Sequence, residues 1–262
     1  MVRGHAGEVE HVLVLGTLGA PQRGWLRGRR ARRAQPAPAA VTTTRVTLIA
    51  AQRFEDRDAA DAWLRETTGQ RERGEARARA AAAVLNRVLH LHRAATADPH
   101  VREVGADQAL VVRVGIGEGE QVAAGRWVRA VELPLPRVAR DRTAALRPQE
   151  RLAALLSARD AALACEELVL RARQDVDAGR RREAALQLDA ALTMALSELA
   201  PWAPRGDLAA RLNELRDLAP AVHAAAQAAL QGGVDDEHES AVRHALERLQ
   251  AALRARSALG FD

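Results

Sequence analysis

Leucine, valine and alanine recur at helical spacing through the sequence after Pro148, and this period constrains the fold more than any other feature. One apolar stripe over residues 149–176 predicts a single helix of about 40 Å, at 1.5 Å per residue. Three further stripes predict helices over residues 182–199, 208–229 and 235–257; the second of them is capped by Asp207 and kinked at Pro220. Because the links are short and every stripe has to be buried, we predict an antiparallel four-helix bundle over residues 149–258.

A smaller mixed region precedes the predicted bundle. Runs rich in Val, Leu and Ile predict three strands, the first of them buried on both faces, at residues 45–54, 109–116 and 126–133. Between the first two strands we predict a short helix capped by Asp56 or Asp58, then a longer helix from about Arg71 to Thr96. The glycine-containing link between the last two strands predicts a hairpin. The expected class is α+β, with a β-α-α-β-β domain of three strands over residues 45–134.

Two other segments have compositions that disfavour a packed core. Residues 1–44 are rich in Arg, Pro and Ala, and Pro36 and Pro38 forbid regular pairing there, so we predict a disordered tail. The 134–148 stretch contains three prolines, and we predict a linker over residues 135–148.

The types of residue present exclude several kinds of chemistry. All 39 basic residues other than histidine are arginine, and the chain has no Tyr. A Schiff-base lysine, a phosphate-loop lysine, a biotin or lipoyl lysine and a catalytic tyrosine are therefore impossible. HExxH, paired CxxC and GxSxG patterns do not occur. We name no catalytic residue, no metal ligand and no cofactor, and we favour a protein that is not an enzyme.

Cysteine content and hydropathy predict where the protein resides. The single Cys permits no internal disulfide, and no run approaches the roughly 18 apolar residues that a membrane span needs. We expect a cytoplasmic protein with no membrane partner, from a bacterium with a GC-rich genome. Cys165 is followed by Glu166 and Glu167, which disfavour a thiolate, so we expect a packed thiol.

One polar alignment on the longer predicted helix suggests an anion or nucleotide site. Its four residues fall within a narrow stripe at 100° per residue, opposite the apolar side of the helix, and they are Arg79, Asn86, His90 and Arg93. The alternative interpretation is a solvated helix face. The acidic run over residues 235–239 is explained by the helix dipole without a metal ion.

Two other groups are candidate contact sites. Five clustered arginines could act as a nonspecific nucleic-acid arm, and they are Arg27, Arg29, Arg30, Arg32 and Arg33. A tail translated from a misassigned start codon in a GC-rich gene would have the same composition. Trp127 and Trp202 are candidate interface anchors, because Trp is enriched at contact centres, although both also suit a core.

The leading hypothesis is thus a non-catalytic interaction or scaffold protein that uses its helical domain to bind a protein partner or a second copy of itself. The alternative is a nucleic-acid-associated protein that uses the arginine cluster. A weaker alternative is an anion-responsive or nucleotide-responsive module.

The nucleic-acid hypothesis makes a direct prediction. Binding to duplex DNA should fall steeply as salt rises, because each arginine that contacts a phosphate releases a counterion, and it should vanish when residues 1–40 are deleted. Fluorescence anisotropy at several salt concentrations measures both effects. Unchanged affinity after the deletion would show that the arm has no role.

Overall fold

The computed structural model describes residues 1–3, 8–19, 43–133 and 142–259, and for residues 142–148 the backbone alone. The described part is α+β, which confirms the predicted class, with seven α-helices and five strands. The chain divides into two compact units, Met1–Arg137 and Val138–Asp262.

The strands in the described part of the first unit form two separate antiparallel sheets. The first sheet has the order β1-β2-β3 and is made of Val2–Arg3, Val9–Leu18 and Thr43–Ala50. The second is a hairpin of β4 and β5, Arg113–Ile116 and Arg129–Glu132. Two helices, α1 and α2, lie between β3 and β4 in the chain and span Arg57–Gly69 and Arg71–Thr96.

This arrangement corrects the prediction of one three-stranded sheet. The strand predicted at residues 45–54 does form, as β3, but it pairs with β2 and not with the hairpin. Strands β1 and β2 lie within residues 1–44, which we predicted to be a disordered tail, and β3 begins there, so that prediction is wrong for residues 2–3, 9–18 and 43–44. The reason is an unbroken register of eight residue pairs, from His11 opposite Ala50 to Leu18 opposite Thr43, which neither apolar run can form alone.

The start of α1 follows the capping chemistry predicted from the sequence. The Asp56 carboxylate accepts a hydrogen bond from the Ala59 amide at 2.8 Å, so Asp56 and not Asp58 is the cap. Leu64 of α1 packs with Ile116 of β4 in a small core. Gly74 has no side chain, which leaves room for the side chain of Leu133. Few side chains are therefore buried among the described residues of the first unit.

Five α-helices lie in the part of the second unit that the structure describes. They are α3 (Arg142–Leu156), α4 (Ala164–Asp177), α5 (Arg181–Glu198), α6 (Leu208–Leu230) and α7 (Asp236–Ala258). The first of them begins inside the segment predicted as a linker. Helices α4–α7 share one core of leucine, valine and alanine, in which Leu188, Leu215 and Leu249 are fully buried. Pro220 lies inside α6 without ending it.

Contacts between helix ends show how α4–α7 are directed. Glu198 at the end of α5 accepts from the amide of Cys165 at the start of α4. Arg182 at the start of α5 donates to the carbonyl of Ala229 at the end of α6. Arg248, in the second half of α7, pairs with Glu214 in the first half of α6. Helices that are neighbours in the chain therefore run in opposite directions.

The prediction of one continuous helix over residues 149–176 is wrong, because the chain breaks between α3 and α4. Ala158 adopts a left-handed conformation, with a φ angle of 56°. Its amide donates to the Leu155 carbonyl, and the Arg159 amide donates to the Ala154 carbonyl at 2.9 Å. These two bonds make a Schellman end, a motif that usually places glycine where Ala158 stands. An alanine at position 158 does not predict the end of a helix, so the break could not be predicted from the residue type.

Replacing Ala158 with glycine should stabilise the second unit by about 0.5–1 kcal/mol, because glycine adopts positive φ without a Cβ clash. Ala153→Gly is the matched control: Ala153 is exposed inside α3, so the same change should destabilise by about 0.5–1 kcal/mol. Urea unfolding followed by circular dichroism measures both. Equal losses in the two variants would contradict the strain assigned to Ala158.

Candidate functional site

Helix α3 is attached to the rest of the second unit by an arginine on its inner side. Both terminal oxygens of Glu166 accept from one guanidinium nitrogen of Arg151, at 2.6 and 2.7 Å. The Nε atom of Arg151 donates to Asp160 at 3.3 Å. Ala154, three residues further on, is almost fully buried. The carboxylate of Glu166 also accepts from the amide of Leu163 and so helps to start α4.

Asp160 joins α3 to the end of α7. Its carboxylate accepts two bonds from Arg256, at 2.5 and 3.2 Å, in addition to the bond from Arg151. The side chains of Asp160 and Arg256 are only 2% and 5% exposed. Burial alone would raise the pKa of the Asp160 carboxyl, but hydrogen bonds from Arg256 and the Ala161 amide outweigh it and hold the pKa below its ordinary value. We call Arg151, Asp160, Glu166 and Arg256 the ionic clasp.

A second polar contact fixes the start of α4 against the end of α5. Glu198 accepts from the amides of Ala164 and Cys165, at 3.2 and 3.0 Å. Burial, followed by the nearby Glu198 carboxylate, raises the pKa of the Cys165 thiol to about 12. The thiol therefore stays protonated at neutral pH, in agreement with the packed cysteine expected from the sequence.

The ionic clasp leaves two leucines of α3 exposed. Arg151, Ala154 and Leu155 face inward, while Leu152 and Leu156 lie about 120° around the helix from them, at 100° per residue. Leu152 is 55% exposed and Leu156 is 80% exposed. The two side chains are neighbours one helical turn apart and form an apolar patch, which we call the α3 patch.

The four residues predicted as an anion site all lie on α2, but they do not converge. Asn86 is committed to the backbone of Val104: its amide nitrogen donates to the Val104 carbonyl at 3.0 Å, and its oxygen accepts from the Val104 amide at 2.9 Å. His90 is half-buried, and Arg79 and Arg93 are exposed. Arg79 and Arg93 are about 21 Å apart along the helix axis, too far to hold one small anion together. The anion site therefore stays a prediction, and only for His90 and Arg93.

The two candidate interface tryptophans are both half-buried. Trp202 packs against the core of the second unit, and the guanidinium of Arg256 lies 4.8 Å from its ring centre. Trp127 precedes β5 in the first unit.

The Arg27 to Arg33 cluster lies outside the described residues. Because the deletion of residues 1–40 would also remove β1 and β2, replacing the five arginines with serine tests the nucleic-acid hypothesis more cleanly.

A shallow cleft of about 400 Å³ lies between α1 and α2 and is open to solvent. Its wall includes Trp63, with the Arg77 guanidinium 5.2 Å from the ring centre. At its rim Arg73 is paired with Glu66 at 2.7 Å.

In the described ranges, no group of three or more His, Cys, Asp or Glu side chains could hold a metal ion. Asp235, in the acidic run at the start of α7, caps the helix by accepting from the His238 amide.

Sequence reasoning missed the ionic clasp. Asp160 was placed inside a continuous helix, and Arg256 occupied an ordinary polar position near the end of another. The two residues are 96 positions apart, so no local pattern could pair them. The one available signal was a lone Asp in the apolar run that follows Arg159, a position at which an unpaired carboxylate would be costly to bury.

Comparison of the chain with protein-family models, with curated proteins and with solved structures gives no match. None of the helices in the described ranges is long and apolar enough to cross a membrane. The candidate site is thus defined by its geometry alone: the α3 patch, held outward by the ionic clasp.

Asp160→Asn should destabilise the second unit by about 3 kcal/mol at neutral pH, since it leaves Arg256 buried without a countercharge. The folded-state pKa of Asp160 is lowered, so the stability that the carboxylate contributes is present above its unfolded-state pKa and is lost as pH falls through the folded-state value. The gap between wild type and variant should therefore be flat near neutrality and narrow below about pH 4.

Asp177→Asn is the control for this measurement. Asp177 pairs with Arg173 at 3.0 Å on the exposed side of α4, so the same change should cost at most about 0.5 kcal/mol. Urea unfolding at a series of pH values gives both free energies. A gap between wild type and Asp160→Asn that does not change in acid would contradict the role of this carboxylate.

Proposed function

We propose that the protein is a non-catalytic binding or scaffold protein that contacts another polypeptide through its helical unit, with the α3 patch at the centre of the contact. The observation that carries the proposal is the exposure of Leu152 and Leu156, on a helix whose Arg151 is engaged in the clasp. A helix that is already formed loses less conformational entropy on binding than a segment that folds on contact.

The chemistry of the second unit supports binding over catalysis. The buried charges of the clasp are paired with one another, and the Cys165 thiol is protonated at neutral pH. A described cavity near Gly179 has a volume of about 10 Å³, room for about one water molecule. The usual sign of an active site is an ionisable group with a perturbed pKa in an open cleft. These contacts among the described residues do not form such a site.

The spacing of the patch favours a helical partner. Two leucines at positions i and i+4 form a ridge that fits between the side-chain rows of another helix. We therefore propose that the occupant is an amphipathic helix of a partner protein, docked by its apolar face. A cytoplasmic location is part of this proposal, whereas the nucleic-acid arm and the anion module stay predictions without a structural observation behind them.

Replacing both leucines with glutamate should weaken partner binding at least tenfold, because the loss of two buried leucines costs about 1–2 kcal/mol each and the new charges must be desolvated. A photo-crosslinking amino acid at position 156, introduced in cells, identifies the partner. Isothermal titration of the purified partner against wild type and against Leu152→Glu with Leu156→Glu then gives the affinities.

Leu170→Glu is the matched control, because Leu170 is an exposed leucine on α4 outside the patch. Its affinity for the partner should equal that of wild type. All three proteins should unfold at the same urea concentration, since neither leucine of the patch is buried. A partner that binds the double variant as tightly as wild type would refute the proposal.

A further inference from the structure

Strand β3 is an edge of its sheet in the described part of the chain. It pairs with β2 on one side, and among residues 1–3, 8–19, 43–133 and 142–259 no strand pairs with its other side. The strand is eight residues long, has the sequence TTRVTLIA, and contains no proline and a single charge. Edges of this length and polarity are open to pairing with another strand unless lysine, proline or a bulge blocks them.

The register shows which backbone groups face the open edge. The Ala51 amide donates to the Glu10 carbonyl at 2.8 Å, directly across the β2–β3 pair. The direction of the backbone N–H and C=O groups alternates along an antiparallel strand. Those of Ile49, Thr47 and Arg45 therefore also point toward β2. The N–H and C=O groups of the intervening residues point the opposite way, and those residues are Thr44, Val46, Leu48 and Ala50.

The same alternation defines the apolar face beside this edge. Val46 lies directly opposite Leu15 of β2, and the two side chains share one face of the sheet. Val46 is 41% exposed and Leu15 is 58% exposed. On the opposite face Thr47 is buried. One face of the sheet is thus covered within the chain, while the other presents leucine and valine next to backbone groups that pair with no strand of the described ranges.

We propose that the open edge of β3 pairs with β3 of a second copy of this chain, antiparallel and about a two-fold axis at Thr47. Val46 then faces Leu48 of the second copy, and Thr44 faces Ala50, so the four outward residues pair completely. Thr47 faces Thr47 of the second copy, a favourable cross-strand pair. The apolar face that carries Leu15 and Val46 continues across the axis.

The position of the strand's one charge favours a second copy as the occupant. In this register Arg45 faces Ile49 of the second copy and not its own counterpart. The two Arg45 residues are then about 13 Å apart along the strands, at 3.3 Å per residue. That separation exceeds the screening length of about 8 Å at physiological salt, so the two charges do not oppose the pairing. This contact is independent of the α3 patch.

Sedimentation of the full chain across micromolar concentrations tests the pairing. Wild type should form dimers, and Val46→Lys should be monomeric, since lysine places a charge on the paired edge. Leu15→Lys is the matched control, because Leu15 is on the same face but one strand away from the edge. It should dimerise as wild type does. Leu152→Glu with Leu156→Glu should also dimerise, which separates this proposal from the proposed function.

Cross-linking tests the register itself. Thr47→Cys should form a disulfide-linked dimer on mild oxidation, because directly opposed residues near a two-fold axis meet the distance that a disulfide requires. Ile49→Cys should not, since its counterpart is about 13 Å away along the strands. Cys165 adds no background, as its thiol is buried and protonated. A monomeric wild type, equal loss in Val46→Lys and Leu15→Lys, or equal cross-linking of the two cysteine variants would overturn the proposal.

Discussion

Burial of small apolar side chains where helices meet is the interaction on which the second unit depends. Alanines alternate with leucines at these contacts, and Ala172, Ala191 and Ala225 are completely inaccessible to solvent. A methyl group allows two helix backbones to approach closely, so leucines from a third helix can fill the space beside it. Four helices of modest hydrophobicity can therefore share one core.

The ionic clasp depends on that core, because only the packed helices bring the end of α7 to the start of α4. Once they are packed, the Asp160 side chain is almost inaccessible, and two arginines pair with its carboxylate. Arg151 is one of them, and through it α3 is held with its inner side fixed. The side of α3 that carries Leu152 and Leu156 is thus turned outward by a charge pairing on its other side.

The periodic stretch of α2 was predicted well, whereas the break within residues 149–176 and the contacts between distant residues were not. The bounds of α2 and the Asp56 cap follow from local chemistry: an apolar stripe, and a carboxylate before a helix start. The break at Ala158 does not follow from local chemistry, because alanine ordinarily favours a helix. The break therefore depends on the surroundings of Ala158. Strand β2 was missed because it is ordered by pairing with β3, which follows it in the chain only after the intervening residues 19–42.

By itself, the sequence determined the helical character of the second unit, the exclusion of lysine and tyrosine chemistry, and the inert thiol at Cys165, since each follows from residue type and local spacing. Only the tertiary structure decided which charges pair, which sheet β3 joins and which leucines remain exposed. The physical reason is range: backbone preferences and side-chain chemistry act within a few residues, whereas burial of an ion pair such as Asp160 with Arg256 requires segments 96 positions apart to meet.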